Sequence, residues 1–102
     1  MTSAAQPVFN DVIHSPVRLR ICGLLRRVPE LEFSVVRDTL DLNDANLSKN
    51  LTVLAQAKLV ALRKESSPAR SDSRRLTWLS LTSAGRDALE GHLAALSAIA
   101  GE

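Results

Sequence analysis

Apolar residues recur every three to four positions along most of the chain, and in one stretch they alternate instead. In "HSPVRLRICGLLRRVPE" the side chains of Val17, Ile21, Leu24, Leu25 and Val28 fall on one side of a helix. Ser15 suits its N-cap, Pro16 its first position, and Pro29 stops it. Leu19 and Cys22 lie off that stripe, the mark of a helix covered on a second flank. Upstream, Val8, Phe9, Val12 and Ile13 predict two helical turns in "VFNDVIH". Downstream, "EFSVVRDTLDL" predicts a short helix with Ser34 as N-cap and with Val36, Leu40 and Val35 turned inward. A tight turn around Asp41 and Leu42 leads into "NDANLSKNLTVLAQAKLV", where Asn43 is the predicted N-cap and Asp44 sits against the positive end of the helix dipole. Two short helices around such a turn predict a helix-turn-helix.

The period then changes. Val60 and Leu62 alternate, as do Leu79 and Leu81, and Ser, Pro, Arg and Asp fill the space between. Two antiparallel strands joined by a long exposed loop follow from that pattern. Thr82 caps a last helix on which Leu89, Leu93, Leu96 and either Ile99 or Ala100 share a face. The fold class is therefore mainly α with a small antiparallel β-hairpin, an α+β arrangement. At 102 residues the chain is one domain, with a core over 8–81 and a terminal helix over 82–100.

Composition changes little: the chain is 45% apolar and 24% charged, ordinary for a folded protein. Charge changes more. The formal net charge is +2, yet Lys49 to Arg75 holds seven bases and two acids, a local +5, and the rest holds six bases and nine acids, a local −3. A segregated basic segment suits a polyanion. The start lacks a basic stretch followed by an apolar one, and no run approaches the roughly 20 apolar residues of a membrane span, so the cytoplasm is the expected compartment.

The segment from residue 43 carries the chemistry. With Leu47 at the origin and about 100° per residue, Leu51 and Leu54 lie within roughly 40° of it, so this edge is anchored in the core. Ala45, Lys49, Thr52 and Gln56 point outward, flanked by Asn46, Ser48 and Val53. Small polar residues near a helix N-terminus allow close approach to the DNA major groove and offer hydrogen bonds to bases or phosphates. A solvated helix face has the same composition, and position decides between the two: the helix leads directly into a hairpin with a basic loop, so one element can enter a groove as the other follows the backbone. Arg63 and Lys64 at the hairpin base, and Arg70, Arg74 and Arg75 in the loop, are the expected phosphate contacts.

The chain resembles winged-helix transcriptional regulators of the MarR and ArsR type, in their small single-domain form with a C-terminal helix. The residues that carry the resemblance are "HSPVRLRICGLL", "LNDANLSKNLTVLAQAKLVALRKE" and "RRLTWLSLTSAGRDAL", which cover nearly the whole chain. The resemblance implies a winged helix-turn-helix with a C-terminal dimerisation helix, and a homodimer that regulates transcription from a roughly palindromic double-stranded DNA operator. The matching recognition-helix positions are Asp44, Ala45, Asn46, Ser48, Lys49 and Thr52. A repressor is the expectation, because so short a chain has little room for an activating domain. The other class in play is a winged helix that binds protein, its basic loop merely solvated.

The apolar face of the last helix must be covered, and Phe9, Val12, Ile13 and Leu19 are expected to meet Leu89, Leu93, Leu96 and Ile99 in a dimer. A small-molecule effector is compatible with this plan and not named by it. No cofactor is expected. The cysteine-rich metal motif of many ArsR proteins is absent, and one cysteine with two histidines does not make a metal site. With four dispersed glycines and no nucleophile, base and orienter set, the chain is not expected to be an enzyme. Cys22 reads as a packed thiol rather than a redox sensor, His14 and His92 as structural or exposed, and Trp78 as packing beside the wing. The glycosylation patterns at Asn46 and Asn50 fall inside a helix and are set aside.

Overall fold

The computed structural model describes residues 5–66 and 75–101. Helix α1 (Pro16–Leu25) begins as expected: Ser15 Oγ accepts from the Arg18 N–H at 3.4 Å, and Pro16 occupies the first turn. A two-residue strand β1 (Leu31–Glu32) precedes α2 (Phe33–Thr39). The N-cap of α2 is Glu32 rather than Ser34, because the Glu32 carboxylate reaches forward to accept from the Ser34 N–H at 3.2 Å. Helix α3 (Asp44–Gln56) has the predicted cap, Asn43 Oδ1 accepting from the Asn46 N–H at 2.7 Å.

Both helices of the helix-turn-helix end in the same way. After α2 the Leu42 N–H reaches Arg37 O at 2.9 Å and the Asp41 N–H reaches Asp38 O at 3.2 Å, with Asp41 at φ 56°. After α3 the Leu59 N–H reaches Leu54 O at 3.0 Å and the Lys58 N–H reaches Ala55 O at 2.9 Å, with Lys58 at φ 66°. These are Schellman caps with an aspartate and a lysine where glycine is usual. The left-handed residue costs about 1–2 kcal/mol, and the two bonds it permits satisfy carbonyls that the helix end leaves open.

Strands β2 (Val60–Ser66) and β3 (Arg75–Leu81) form the expected hairpin, in register from Val60 opposite Leu81 to Ser66 opposite Arg75. β1 adds a third strand on the far side of β3, Leu31 opposite Leu79, so the sheet order is β1-β3-β2 and not a hairpin alone. Helix α4 (Ser83–Ile99) starts at the predicted Thr82 cap. Ile21, Leu25, Val36, Leu47, Leu51, Leu54, Leu79 and Leu89 make the buried core. Cys22 belongs to it too, packed as expected on the second covered flank, because α1 touches α3, α4 and β3 together. Val28 and Val35, expected inside, are exposed.

The two helical turns expected in "VFNDVIH" are not there. The segment lies irregularly against α4, its Val8 N–H donating to Gly91 O at 2.9 Å. Only one turn closes, the Asn10 side chain accepting from the Ile13 N–H at 2.9 Å and Asn10 O from the His14 N–H at 2.9 Å. The segment is pinned by a histidine pair. His92 is fully buried and its Nδ1 accepts from the Asn10 N–H at 3.0 Å, so the ring proton sits on Nε2, which faces His14 Nδ1 at 3.2 Å. Phe9 packs on both rings, with centroids 4.6 and 4.8 Å away.

Burial, then the neighbouring His14, holds the His92 pKa below its ordinary 6.5, with Asp11 offsetting in part. The unfolded chain therefore takes up a proton near pH 6.5 that the folded chain resists, so stability is constant above that value and falls as the pH drops below it. Thermal melts between about pH 7.5 and 5.5 should show this loss, and His92→Gln should remove most of the slope. An equal slope in the variant would place the titration elsewhere.

Candidate nucleic-acid interface

Helix α3 is held by its leucines and presents the rest. Leu47, Leu51 and Leu54 are buried, while Asp44, Ala45, Ser48, Lys49, Thr52 and Gln56 are exposed along the opposite side. The Thr52 hydroxyl donates to Ser48 O at 3.0 Å, which leaves its oxygen free to accept. Beside this face a groove of about 700 Å³ opens between α3 and the sheet. Ser48, Thr52 and Gln56 form one wall, Leu62, Lys64 and Thr77 the other, and Phe33, Ser34 and Arg37 of α2 close one end.

Of the sequence candidates, Asp44 is engaged rather than open. Arg37 Nη1 meets its Oδ1 at 2.8 Å, and Arg37 Nε meets Asp38 Oδ1 at 2.9 Å. Arg37 holds the Asp38 carboxyl below the ordinary carboxylate range. This arginine was not among the expected site residues; the available signal was a base one turn before a tight turn whose next helix opens with an acid.

Asn46 is half-buried and Asn50, which the sequence puts among the polar residues of the helix, is buried to 5% exposure. Its position on the helical wheel, about 60° from Leu47, was the clue. Arg18 Nη1 donates to Asn50 Oδ1 at 2.9 Å, and Asn50 Nδ2 donates to Asn46 O at 2.9 Å and Asn46 Oδ1 at 2.8 Å.

The two bases expected at the hairpin base part company. Lys64, opposite Thr77, lines the groove beside α3. Arg63 faces the other side of the sheet over Trp78, 5.7 Å from the ring centre. There it is bidentate to Glu30 at 2.9 and 3.0 Å and meets Glu65 at 3.2 Å. Its charge is compensated within the protein, and Arg63 holds the Glu30 carboxyl below the ordinary range. Trp78 packs under that ion pair. Arg70 and Arg74 lie outside the described residues, as does the side chain of Arg75.

The eight residues expected at a dimer contact divide. Ile13 and Leu89 are buried in the subunit's own core; Val12, Leu19, Leu93 and Leu96 are half-buried; Phe9 and Ile99 are exposed, Ile99 to 70%. Among the described residues no three metal-ligating side chains converge, and no helix is long and apolar enough to cross a membrane.

A family model described as a winged helix DNA-binding domain matches residues 17–100. No curated protein matches. Among solved structures the chain is similar to a transcriptional regulator homologue from Pyrococcus horikoshii OT3, 29% identical over 87% of this chain and 84% of that one, with a TM-score of 0.77. It is similar to NolR from Sinorhizobium fredii, 27% identical over 88% of this chain and 78% of that one, TM-score 0.64. It also shares the fold of the YusO protein from Bacillus subtilis, 24% identical over 84% of this chain, TM-score 0.70, although it spans only 57% of that protein.

Cys22 offers the chemistry of a packed group. Burial pushes its thiol up to about 11, against a smaller opposing pull from Arg18. Alkylation by iodoacetamide at pH 7.5 should be at least about a hundredfold slower in the native protein than in denaturant, since the thiolate is that much scarcer. Comparable rates would mean that the thiol is accessible and reactive.

Proposed function

The chain belongs to the winged helix DNA-binding domain family, and from that premise we propose that it is a sequence-specific, double-stranded DNA-binding transcriptional repressor that acts as a homodimer in the cytoplasm. Helix α3 enters the major groove, and the hairpin from 63 to 77 lies along the backbone or minor groove. The observation that carries this reading is the outward face of α3. Ser48, Lys49, Thr52 and Gln56 offer hydrogen bonds and a single positive charge on a helix whose one acid on that side, Asp44, is already bound by Arg37. Lys64 stands across the groove from them, placed for a phosphate beside the groove that α3 would occupy.

If the dimer neutralises about six phosphates, log K should fall against log salt with a slope near −5. Fluorescence anisotropy with duplex DNA across a salt series measures it, and Lys64→Ala should flatten the slope by about one unit per subunit. No binding at low salt would sink the proposal and leave the protein-binding winged helix as the better reading.

Two-fold symmetry would set two copies of α3 roughly 34 Å apart and match a pseudo-palindromic operator. The dimer is proposed on the members of the expected set that are half-buried or exposed in the subunit, Phe9, Val12, Leu19, Leu93, Leu96 and Ile99, without the buried Ile13 and Leu89. An effector, if one acts, would fit the 520 Å³ groove between α1 and α4 that Leu19, Leu24, Leu89 and Leu93 line. Sedimentation equilibrium should give twice the 11.1 kDa of one chain. Ile99→Ser should raise the dimer dissociation constant about tenfold or more, in proportion to the apolar area it removes. A monomeric wild type would count against the dimer and its operator symmetry.

A further inference from the structure

Arginine has only donors, and that fixes every group in the chain of hydrogen bonds behind α3. Arg18 Nη1 lies 2.9 Å from one side-chain atom of Asn50, which must therefore be the oxygen. The Asn50 nitrogen then faces Asn46, whose main-chain oxygen is 2.9 Å away and whose side-chain atom is 2.8 Å away. That second atom has to accept, so it is Asn46 Oδ1. Asn46 Nδ2, on a half-buried residue at the edge of the exposed face, is left with no hydrogen bond among the described residues. The amide orientation, ordinarily ambiguous, follows from the charge at the start of the chain.

We infer that Arg18 and Asn50 are positioning residues that hold the Asn46 amide nitrogen outward, so that α3 meets an acceptor-only base edge, guanine or thymine, at that position. This rests on the reading of α3 as the base-contacting helix. A free asparagine reads adenine with both its oxygen and its nitrogen, accepting from N6 and donating to N7. Here the oxygen is turned to Asn50 Nδ2 at 2.8 Å and is not presented together with the nitrogen. The nitrogen alone best suits guanine, which presents O6 and N7, and then thymine, which presents O4; adenine sets an N6 donor beside its N7 acceptor, which a lone donor does not match, and cytosine offers only a donor. Arg18 is itself anchored, its Nε donating to the main-chain oxygen of Val12, so the chain starts from a fixed point.

The test is selection of bound duplexes from a random pool with the full-length wild type, Asn46→Asp and Asn50→Leu, each checked for folding by circular dichroism. The wild type should select guanine or thymine at one position in each half-site. Asn46→Asp keeps the bond from Asn50 and turns an acceptor outward, so that position should move towards cytosine by about tenfold while the others hold. Asn50→Leu frees the Asn46 oxygen, and the same position should gain adenine by a similar factor. A merely structural role for Asn50 would lower affinity without changing one base. Adenine in the wild type at the position that responds to Asn46→Asp would overturn the inference, as would a folded Asn50→Leu with unchanged preference. If Asn50→Leu does not fold, the wild-type base and the Asn46→Asp shift still decide. Failure of the wild type to select any sequence would overturn the parent reading, and this one with it.

Discussion

The main-chain oxygens of Lys58 and Leu59 are the point on which the arrangement of the molecule turns. Thr82 claims both, its N–H donating to Leu59 O at 3.0 Å and its hydroxyl to Lys58 O at 2.8 Å, while the same hydroxyl accepts from the Gly85 N–H at 2.8 Å. The cap of α4 is thereby bonded to the residues that end α3 and begin β2. The approach is so close that a Cβ on residue 85 would lie 2.0 Å from Leu59 O, inside any permitted contact. Lys58 must stay in the left-handed region for the two carbonyls to point this way. About 1–2 kcal/mol of backbone cost is offset by hydrogen bonds worth about 1 kcal/mol each. The angle between α3 and the hairpin is therefore set by bonds from Thr82 to two main-chain oxygens, and the width of the groove between Thr52 and Lys64 follows from it.

Around that frame the charges are sorted rather than spread. Arg37 is tied to Asp38 and Asp44, and Arg63 to Glu30 and Glu65, four contacts of 2.8 to 3.2 Å at the surface. Exposed pairs of this kind contribute little to stability, commonly under about 1 kcal/mol. Their larger effect is on the field: they neutralise acids that would otherwise repel a polyanion beside α3 and the hairpin. Lys49 and Lys64 form no such pair among the described residues. The basic balance of the segment from Lys49 to Arg75 is thus concentrated in fewer side chains than its composition suggests.

What the sequence made legible was local. Ser15, Asn43 and Thr82 act through bonds to residues three positions on, so their roles can be read from neighbours alone. The leucine stripe of α3 and the alternation in β2 and β3 are equally short-ranged. Where the reading failed, a distant partner decided. β1 exists because β3 accepts a third strand at Leu79, and two residues carry no period to detect. The segment before α1 is not a two-turn helix because Gly91 and His92 take its amides, although its own apolar spacing favours one. The second apolar flank of α1 was legible in Cys22, which is buried as expected; that three elements share in covering the helix was not. The split of Arg63 from Lys64 was legible from strand alternation, whereas the carboxylates that hold Arg63 were not.

Asn50 shows the difference most sharply. A leucine at the same place would continue the stripe of Leu47, Leu51 and Leu54 and bury more apolar area, and a polar core residue is tolerated only when its groups are satisfied. Here they are: the oxygen accepts from Arg18, and the nitrogen donates twice to Asn46. With no unsatisfied group, the asparagine costs little beyond the lost burial. What a leucine would lack is directionality. Packing fixes where a helix lies; a donor-only residue such as Arg18 fixes which atom of each amide faces which way. That order reaches the surface of α3 through Asn46, which is half-buried beside the exposed face of the helix.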